Sequence, residues 1–301
     1  MDKTAKRVDV RYYSIGGVTI CLRSGLPFKD STFQAKFEKF RVAGPAKRDN
    51  ITVEHHFGIP VAGRIPAGIE VYNKLPWVIV KSRKKLIYKC VSRCGQKERV
   101  HNLVLSDISH SRFDIYHADK NAYLKGGLHS LTMLPSDQIL FAGVLSGRRA
   151  AYLHACGVVF SGKGLLFAGH SGAGKTTLAK MCDRRGGLVL CDDRIVARGH
   201  GGRFRIYGTW SNGEFSKVSG ENAPLKGIFF LRKAGIDRIS RIEDKKEIFR
   251  QLGACLIKPL QTVGWWEKML VLLEQISRSV PAYTLDFNKA GRVVELLRKL
   301  R

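Results

Sequence analysis

Residues 169–176, Gly169-His170-Ser171-Gly172-Ala173-Gly174-Lys175-Thr176, match G-x-x-x-x-G-K-[ST] at every fixed position. An apolar run, Leu165–Ala168, leads in, and Thr177-Leu178-Ala179-Lys180-Met181 leads out with helical spacing. The pattern therefore predicts a strand, a tight glycine loop and a helix over about 175–184. In such a loop the glycines let backbone N–H groups turn inward, and with the helix N-terminus they form a cradle for anionic oxygens. Lys175 adds a mobile positive charge for the β- and γ-phosphates. The Thr176 hydroxyl is a hard oxygen ligand suited to Mg²⁺. A glycine-rich turn that binds nothing is the bland alternative, and the strand and helix on either side count against it. Residues 169–177 are the predicted nucleotide-binding segment, with Thr177 following on the helix.

A phosphate loop needs an acid at the end of a neighbouring strand, to hold the metal or orient the nucleophile. The apolar stretch Gly187–Cys191 ends in Asp192-Asp193. Adjacent strand residues point to opposite faces, but at a strand terminus the chain turns and both can border one site. One carboxylate would then reach the metal and the other accept a proton from an attacking hydroxyl; which does which stays open. A solvated turn is the alternative. His154 lies within the preceding strand, Tyr152–Phe160, where a histidine is more often a satisfied structural residue than a functional one.

The rest of the 301 residues falls into two parts. Residues 1–135 read as a β-rich domain. Short alternating strands are predicted at 8–13, 18–22, 51–57, 77–80, 86–91, 100–105 and 112–117, with Gly, Pro, Asn and Asp between them. Residues 136–301 read as α/β. Ser136 is a candidate N-cap for a helix carrying Ile139, Leu140, Val144 and Leu145. A hairpin is expected across His200-Gly201-Gly202. Further on, a strand is expected at 225–231, helices at 245–256 and 264–277, a strand at 282–287 and a last helix at 289–300. No apolar run approaches the ~18–20 residues of a membrane span, and the N-terminus is polar, so the expectation is a cytoplasmic protein. Seven cysteines without a secretory signal are expected to be reduced. Cys90 and Cys94 read as strand-packing thiols rather than a zinc half-site. Lys plus Arg number 52 and Asp plus Glu 25, a formal charge of +27. Such a field favours an acidic partner, a protein, a peptide, nucleic acid or anionic lipid headgroups, unless it is simply a basic solvated surface. The densest stretch runs from Lys81 to Arg99. No helix-turn-helix, zinc-finger or RNA-binding aromatic pattern accompanies it.

The segments Leu153–Val159, Gly162–Gly164, Leu165–Thr177 and Leu188–Asp193 together resemble the catalytic domain of HPr serine kinase/phosphorylase. More closely, the chain resembles the HPr-kinase-related bacterial proteins, lasso-peptide kinases among them. The stretch Gly208–Glu214, followed by Ala223–Leu231, adds to the likeness. It covers about residues 136–300. The resemblance implies an α/β P-loop kinase domain of the type shared with phosphoenolpyruvate carboxykinase. The β-rich N-terminal domain is placed only by its position ahead of it, and substrate recognition is one role open to it. The resemblance also implies ATP and Mg²⁺ as donor and metal. Lys175 would serve the phosphates, Thr176, Asp192 and Asp193 would surround the metal and base positions, and His154 would stand beside the reacting phosphoryl group. Trp210 and Glu214 would line the substrate side, unless Asn212-Gly213 is only a turn. Thr176-Thr177 replaces the Ser-Glu usual in HPr kinases, and the segment that family uses for phosphorolysis is not recognisable. The expectation is a kinase acting on a hydroxyl, foremost a serine of a protein or peptide. The competing readings are a nucleotide- or nucleic-acid-binding module without transfer, a small-molecule kinase, and a carboxykinase-like enzyme.

Overall fold

The computed structural model describes residues 8–95, 97–132, 137–258 and 263–299. It divides into two compact units, one ending at Val144 and the other beginning at Leu145, with Ile15–Gly17 counted in the second. No helix in the described residues is long and apolar enough to cross a membrane.

The first unit is built on nine strands: β1 (Asp9–Ile15), β2 (Val18–Ser24), β3 (Arg41–Val42), β4 (Asn50–Phe57), β5 (Ile69–Lys74), β6 (Trp77–Lys81), β7 (Lys85–Cys94), β8 (Lys97–Asp107) and β9 (Arg112–His117). They form one sheet in the order β3-β1-β2-β4-β9-β8-β7-β6-β5. The seven predicted strands are all present, most of them a few residues longer. β3 and β5 are additions; β3 has only two residues, and β5 is an exposed edge whose residues show no inward-facing alternation. β4 pairs in parallel with both β2 and β9, and the meander β5–β8 follows outward from β9. One face of β1 and β2 is covered by aromatic side chains. A 3₁₀ turn, Ala35–Phe40, buries Phe37 and Phe40, and Phe33 meets Tyr13 and Phe37 edge-on. A short helix, α1 (Asn121–Lys125), follows β9. All seven cysteines are free thiols, and Cys94 is exposed, so the packing role read for it applies to Cys90 alone.

β4 alternates strictly, with Ile51, Val53 and His55 buried and Thr52, Glu54 and His56 half-buried on the other face. The inward His55 meets His117 of β9. Leu131 O accepts from His55 Nε2 at 3.0 Å, so His55 Nδ1 must accept from His117 Nε2, also at 3.0 Å. His117 Nδ1 then accepts from the Asn102 amide at 2.8 Å. This chain is satisfied only by two neutral rings. Burial pushes His55 down to about 3 and His117 down to about 4. In the unfolded chain both titrate near ~6.5. Their contribution is therefore complete above that pH and is lost as the pH falls toward the folded values. Between about pH 6.5 and 5, unfolding free energy should drop by up to ~1.4 kcal/mol per pH unit for each histidine. The depressed carboxylates Asp107 and Asp114, both at about 2, do not act in that window. Urea unfolding monitored across it should show the slope; a flat profile would contradict the neutral pair.

Helix α2 (Asp137–Ser146) carries the chain across the division. Ser136, read as its N-cap, lies outside the described residues. The buried Asp137 accepts from the Ser130 and Thr132 hydroxyls and from the N–H groups of Leu131, at 3.2 Å, and Thr132, at 3.3 Å.

The second unit contains β10 (Ala150–Phe160), β11 (Lys163–Ala168), α3 (Lys175–Arg184), β12 (Leu188–Cys191), β13 (Arg194–His200), β14 (Arg203–Tyr207), β15 (Asn222–Lys233), β16 (Arg238–Ile242), α4 (Lys245–Cys255), α5 (Val263–Ser279), β17 (Ala282–Phe287) and α6 (Val293–Lys299). It is an α/β unit on a mixed sheet. The first half of β10 pairs with β13, and its second half with β11 on one side and β12 on the other. β13 pairs with β14, β14 with the start of β15, and the rest of β15 runs parallel to β11, so the path β10-β13-β14-β15-β11 returns to its start. β17 and then β16 extend the sheet beyond β15. The expected hairpin across residues 200–202 is β13–β14. α3 and α6 share a core with the sheet through Leu178, Cys182, Phe167, Phe229, Leu285 and Val294. α4 and α5 pack on each other and on β10.

Most boundaries shift by one to three residues, and two features differ more from the sequence reading. β16 was not expected, because its five residues include Arg238, Ser240 and Arg241 and bury little. The last helix begins at Val293, four residues later than predicted. Asn288 Oδ1 instead accepts from Ala290 N–H at 2.7 Å in a side-chain-closed turn, and Gly291 adopts φ 82°. The predicted end of that helix, Leu300, lies outside the described residues.

Candidate functional site

β11 delivers the chain at Ala168 into the glycine loop, and α3 begins at Lys175. Gly174 has φ 102°, and a Cβ there would stand 2.7 Å from the Phe287 ring. Glycine is thus required both by conformation and by space. Gly174 has no side chain to cap α3, whose first intrahelical bond runs from Leu178 N–H to Gly174 O at 2.9 Å. The N–H groups of residues 175–177 thus begin a helix with no side chain closing it, the arrangement that favours an anion. Lys175 is buried to 7 % exposure and curls over the loop, donating to Gly169 O at 2.8 Å and His170 O at 3.1 Å. Burial lowers its pKa from the ordinary lysine value, against the pull of Asp193 and Asp192. His170 and Ser171 lie at the exposed tip, with His170 Nδ1 2.6 Å from Ser171 O.

The two acids after β12 separate. Asp192 is 1 % exposed and accepts three hydrogen bonds: Thr176 Oγ1 at 2.9 Å, Gly213 N–H at 2.7 Å and Phe215 N–H at 3.1 Å. It ties the first turn of α3 to the loop at 213–215. Asp193 is more open. Its Oδ1 lies 3.3 Å from His154 Nε2, and its Oδ2 lies 3.4 Å from Arg194 Nε. The structure therefore brings His154, Lys175, Thr176, Asp192 and Asp193 into one cluster around the end of β12. His154 is pushed below the ordinary imidazole value by burial and by the Lys175 charge, while Asp193 pulls it up.

Other expectations fare differently. Trp210 is buried, and Glu214 is exposed. Asn212-Gly213 does not join paired strands; it lies in the loop that presents its N–H to Asp192. Several contributors were missed. Arg194 also donates to Ser211 Oγ, and Thr209 Oγ1 donates to Arg194 O at 2.7 Å, so Arg194 is fixed beside Asp193 from both ends. Its place directly after the two acids was the available signal. The N–H groups of Gly213 and Phe215 have no side-chain signature at all. Cys255, at the end of α4, interacts with the Lys175 charge; burial raises its thiol pKa.

Thr176 Oγ1 and Asp192 offer Mg²⁺ a pair of hard oxygens, and Asp192 Oδ1, which among the described residues accepts only the Gly213 N–H, keeps a free lone pair. The donor set fits that ion. A second cluster, Glu54, His56 and Asp114 in the first unit, has ligand atoms within 4.8 Å of one another. There Arg112 already bridges the carboxylates, at 2.9 Å from Glu54 and 3.0 Å from Asp114, so the cation is a side chain.

No family model matches the chain, and no curated protein matches it. Among solved structures it is similar to the HPr(Ser) kinase/phosphatase from Coxiella burnetii, at 14% identity and a TM-score of 0.31, over 50% of this chain and 87% of that one. A likeness at that level assigns no chemistry.

Proposed function

We propose that the second unit is a Mg·ATP-dependent phosphotransferase whose acceptor is a hydroxyl, foremost a serine of an acidic protein or peptide. The observation that carries this reading is the separation of the two carboxylates: Asp192 bonded to Thr176 at the loop, Asp193 open and beside His154. A site that only bound nucleotide would have use for the first but not for the second.

In this reading the loop N–H groups and the start of α3 receive the donor phosphates. Lys175 leaves the Gly169 and His170 carbonyls for the phosphate oxygens. Mg²⁺, held by Thr176 and Asp192, offsets phosphate charge when bound. The acceptor hydroxyl gives its proton to Asp193 as its oxygen attacks the terminal phosphorus, and the bond to the ADP oxygen breaks. His154 and Arg194 hold Asp193 in place from its two oxygens. Catalysis of this kind is positioning and electrostatics. The excess of Lys and Arg, 52 against 25 acids, suits an acidic acceptor.

The test is incubation with γ-labelled ATP, Mg²⁺ and serine-containing acidic peptides, read by mass and by label. Mg²⁺-dependent label on serine supports the proposal. Label on a small molecule alone would move the acceptor class. Nucleotide binding with no turnover under any acceptor would leave a binding module and overturn the transferase.

A further inference from the structure

At the end of β11 away from the glycine loop lies a cavity of about 290 Å³. It is bounded by the Ser161-Gly162 turn, β11, β15, β17 and α6. Its floor is apolar: Leu165, Leu297 and the Phe229–Tyr283 pair, whose rings stack at 5.1 Å and 15°. Its rim is cationic. Lys163 comes from β11, Lys226 from β15 and Arg298 from α6. Among the described residues no carboxylate lines it, and none of these three side chains has a hydrogen-bond or ion-pair partner.

The backbone is shaped to produce this. β15 slips against β11 between Gly164 and Leu165: Gly164 faces Leu225, but Leu165 faces Gly227. Lys226 is the extra residue of that bulge. Bulges re-aim a side chain, and this one leaves Lys226 exposed in a strand otherwise buried from Gly227 to Leu231. Gly227 beside it keeps the wall thin, since a Cβ there would meet the Phe229 ring at 2.9 Å. Three converging like charges oppose one another, and an anion relieves that opposition. An apolar, ring-lined floor beneath them rewards a flat apolar body attached to the anion.

We infer that this cavity is a binding site for a small organic anion with a planar apolar body. It lies at the other end of a six-residue strand, roughly 20 Å from Gly169, and it does not depend on the phosphotransfer reading.

The test is titration calorimetry of the full chain with naphthalene-1-sulfonate, a probe with the required anion and ring and without a phosphate. One saturable site per chain is expected. The neutral naphthalene-1-sulfonamide should bind at least about tenfold more weakly, and each of Lys226→Gln and Arg298→Gln should cost about tenfold, the loss of a hydrogen bond to a charged group. Lys226→Arg should retain binding, and Lys175→Ala should leave it unchanged. All the substituted rim residues are exposed, so the variants fold. Absence of saturation, equal binding in the Gln variants, equal binding of the neutral probe, or loss in Lys175→Ala would each overturn the site.

Discussion

Lys175→Ala should lower Mg·ATP turnover by about a hundred- to a thousandfold, the range for removing one preorganised charge from a developing transition state. The side chain has no other employment that would explain its burial. The residue is 7 % exposed, and among the described residues its ammonium donates to two carbonyls of the loop it would serve, with Asp193 and Asp192 acting on its charge. Those carbonyls border the exposed tip at His170 and Ser171, where water replaces the lost donor, so the thermal midpoint should move little. Lys175→Arg should not restore the rate, because a planar guanidinium cannot occupy the place of a compact ammonium. Single-turnover measurements with labelled ATP separate the two effects. An undiminished rate in Lys175→Ala would remove the loop from the chemistry.

Asp193→Asn should lower transfer by about a hundred- to ten-thousandfold, the range for losing a general base. Nucleotide binding should persist. Asp192→Asn should behave differently. Asp192 accepts from three donors, and an amide turned into that position sets its NH₂ against at least one of them. A loss of both activity and thermal stability is therefore expected at 192, and a loss of activity alone at 193. Equal stability losses at both positions, or full transfer in Asp193→Asn, would contradict the division of roles drawn from the geometry.

Much of this was legible in the sequence because it rests on side-chain pattern. The glycine loop and α3 could be placed from eight consecutive residues, and the alternation of Ile51, Val53 and His55 against Thr52, Glu54 and His56 marks β4 directly. Edge elements were harder: β5 and β16 bury too little to alternate. The start of α6 was misplaced because the Asn288 side chain closes a turn that propensity reads as helix. At the site, Asp192 and Asp193 are identical as residue types, and only their surroundings part them. Two of the three bonds that fix Asp192 come from backbone N–H groups in a loop, which almost any sequence would supply. The slip that turns Lys226 outward is a matter of register between two strands, and neither strand reveals it alone.

The return of β10-β13-β14-β15-β11 to its own beginning also bears on how the second unit survives at high concentration. A sheet normally advertises a row of unmet amide and carbonyl groups along each border, a template on which further chains can grow. Here most of that border is consumed internally. What remains includes β12, only four residues long, and β16, which carries Arg238 and Arg241. Brevity and charged side chains, Arg238 paired with Asp286 and Arg241 with Glu243, thus guard the borders that remain.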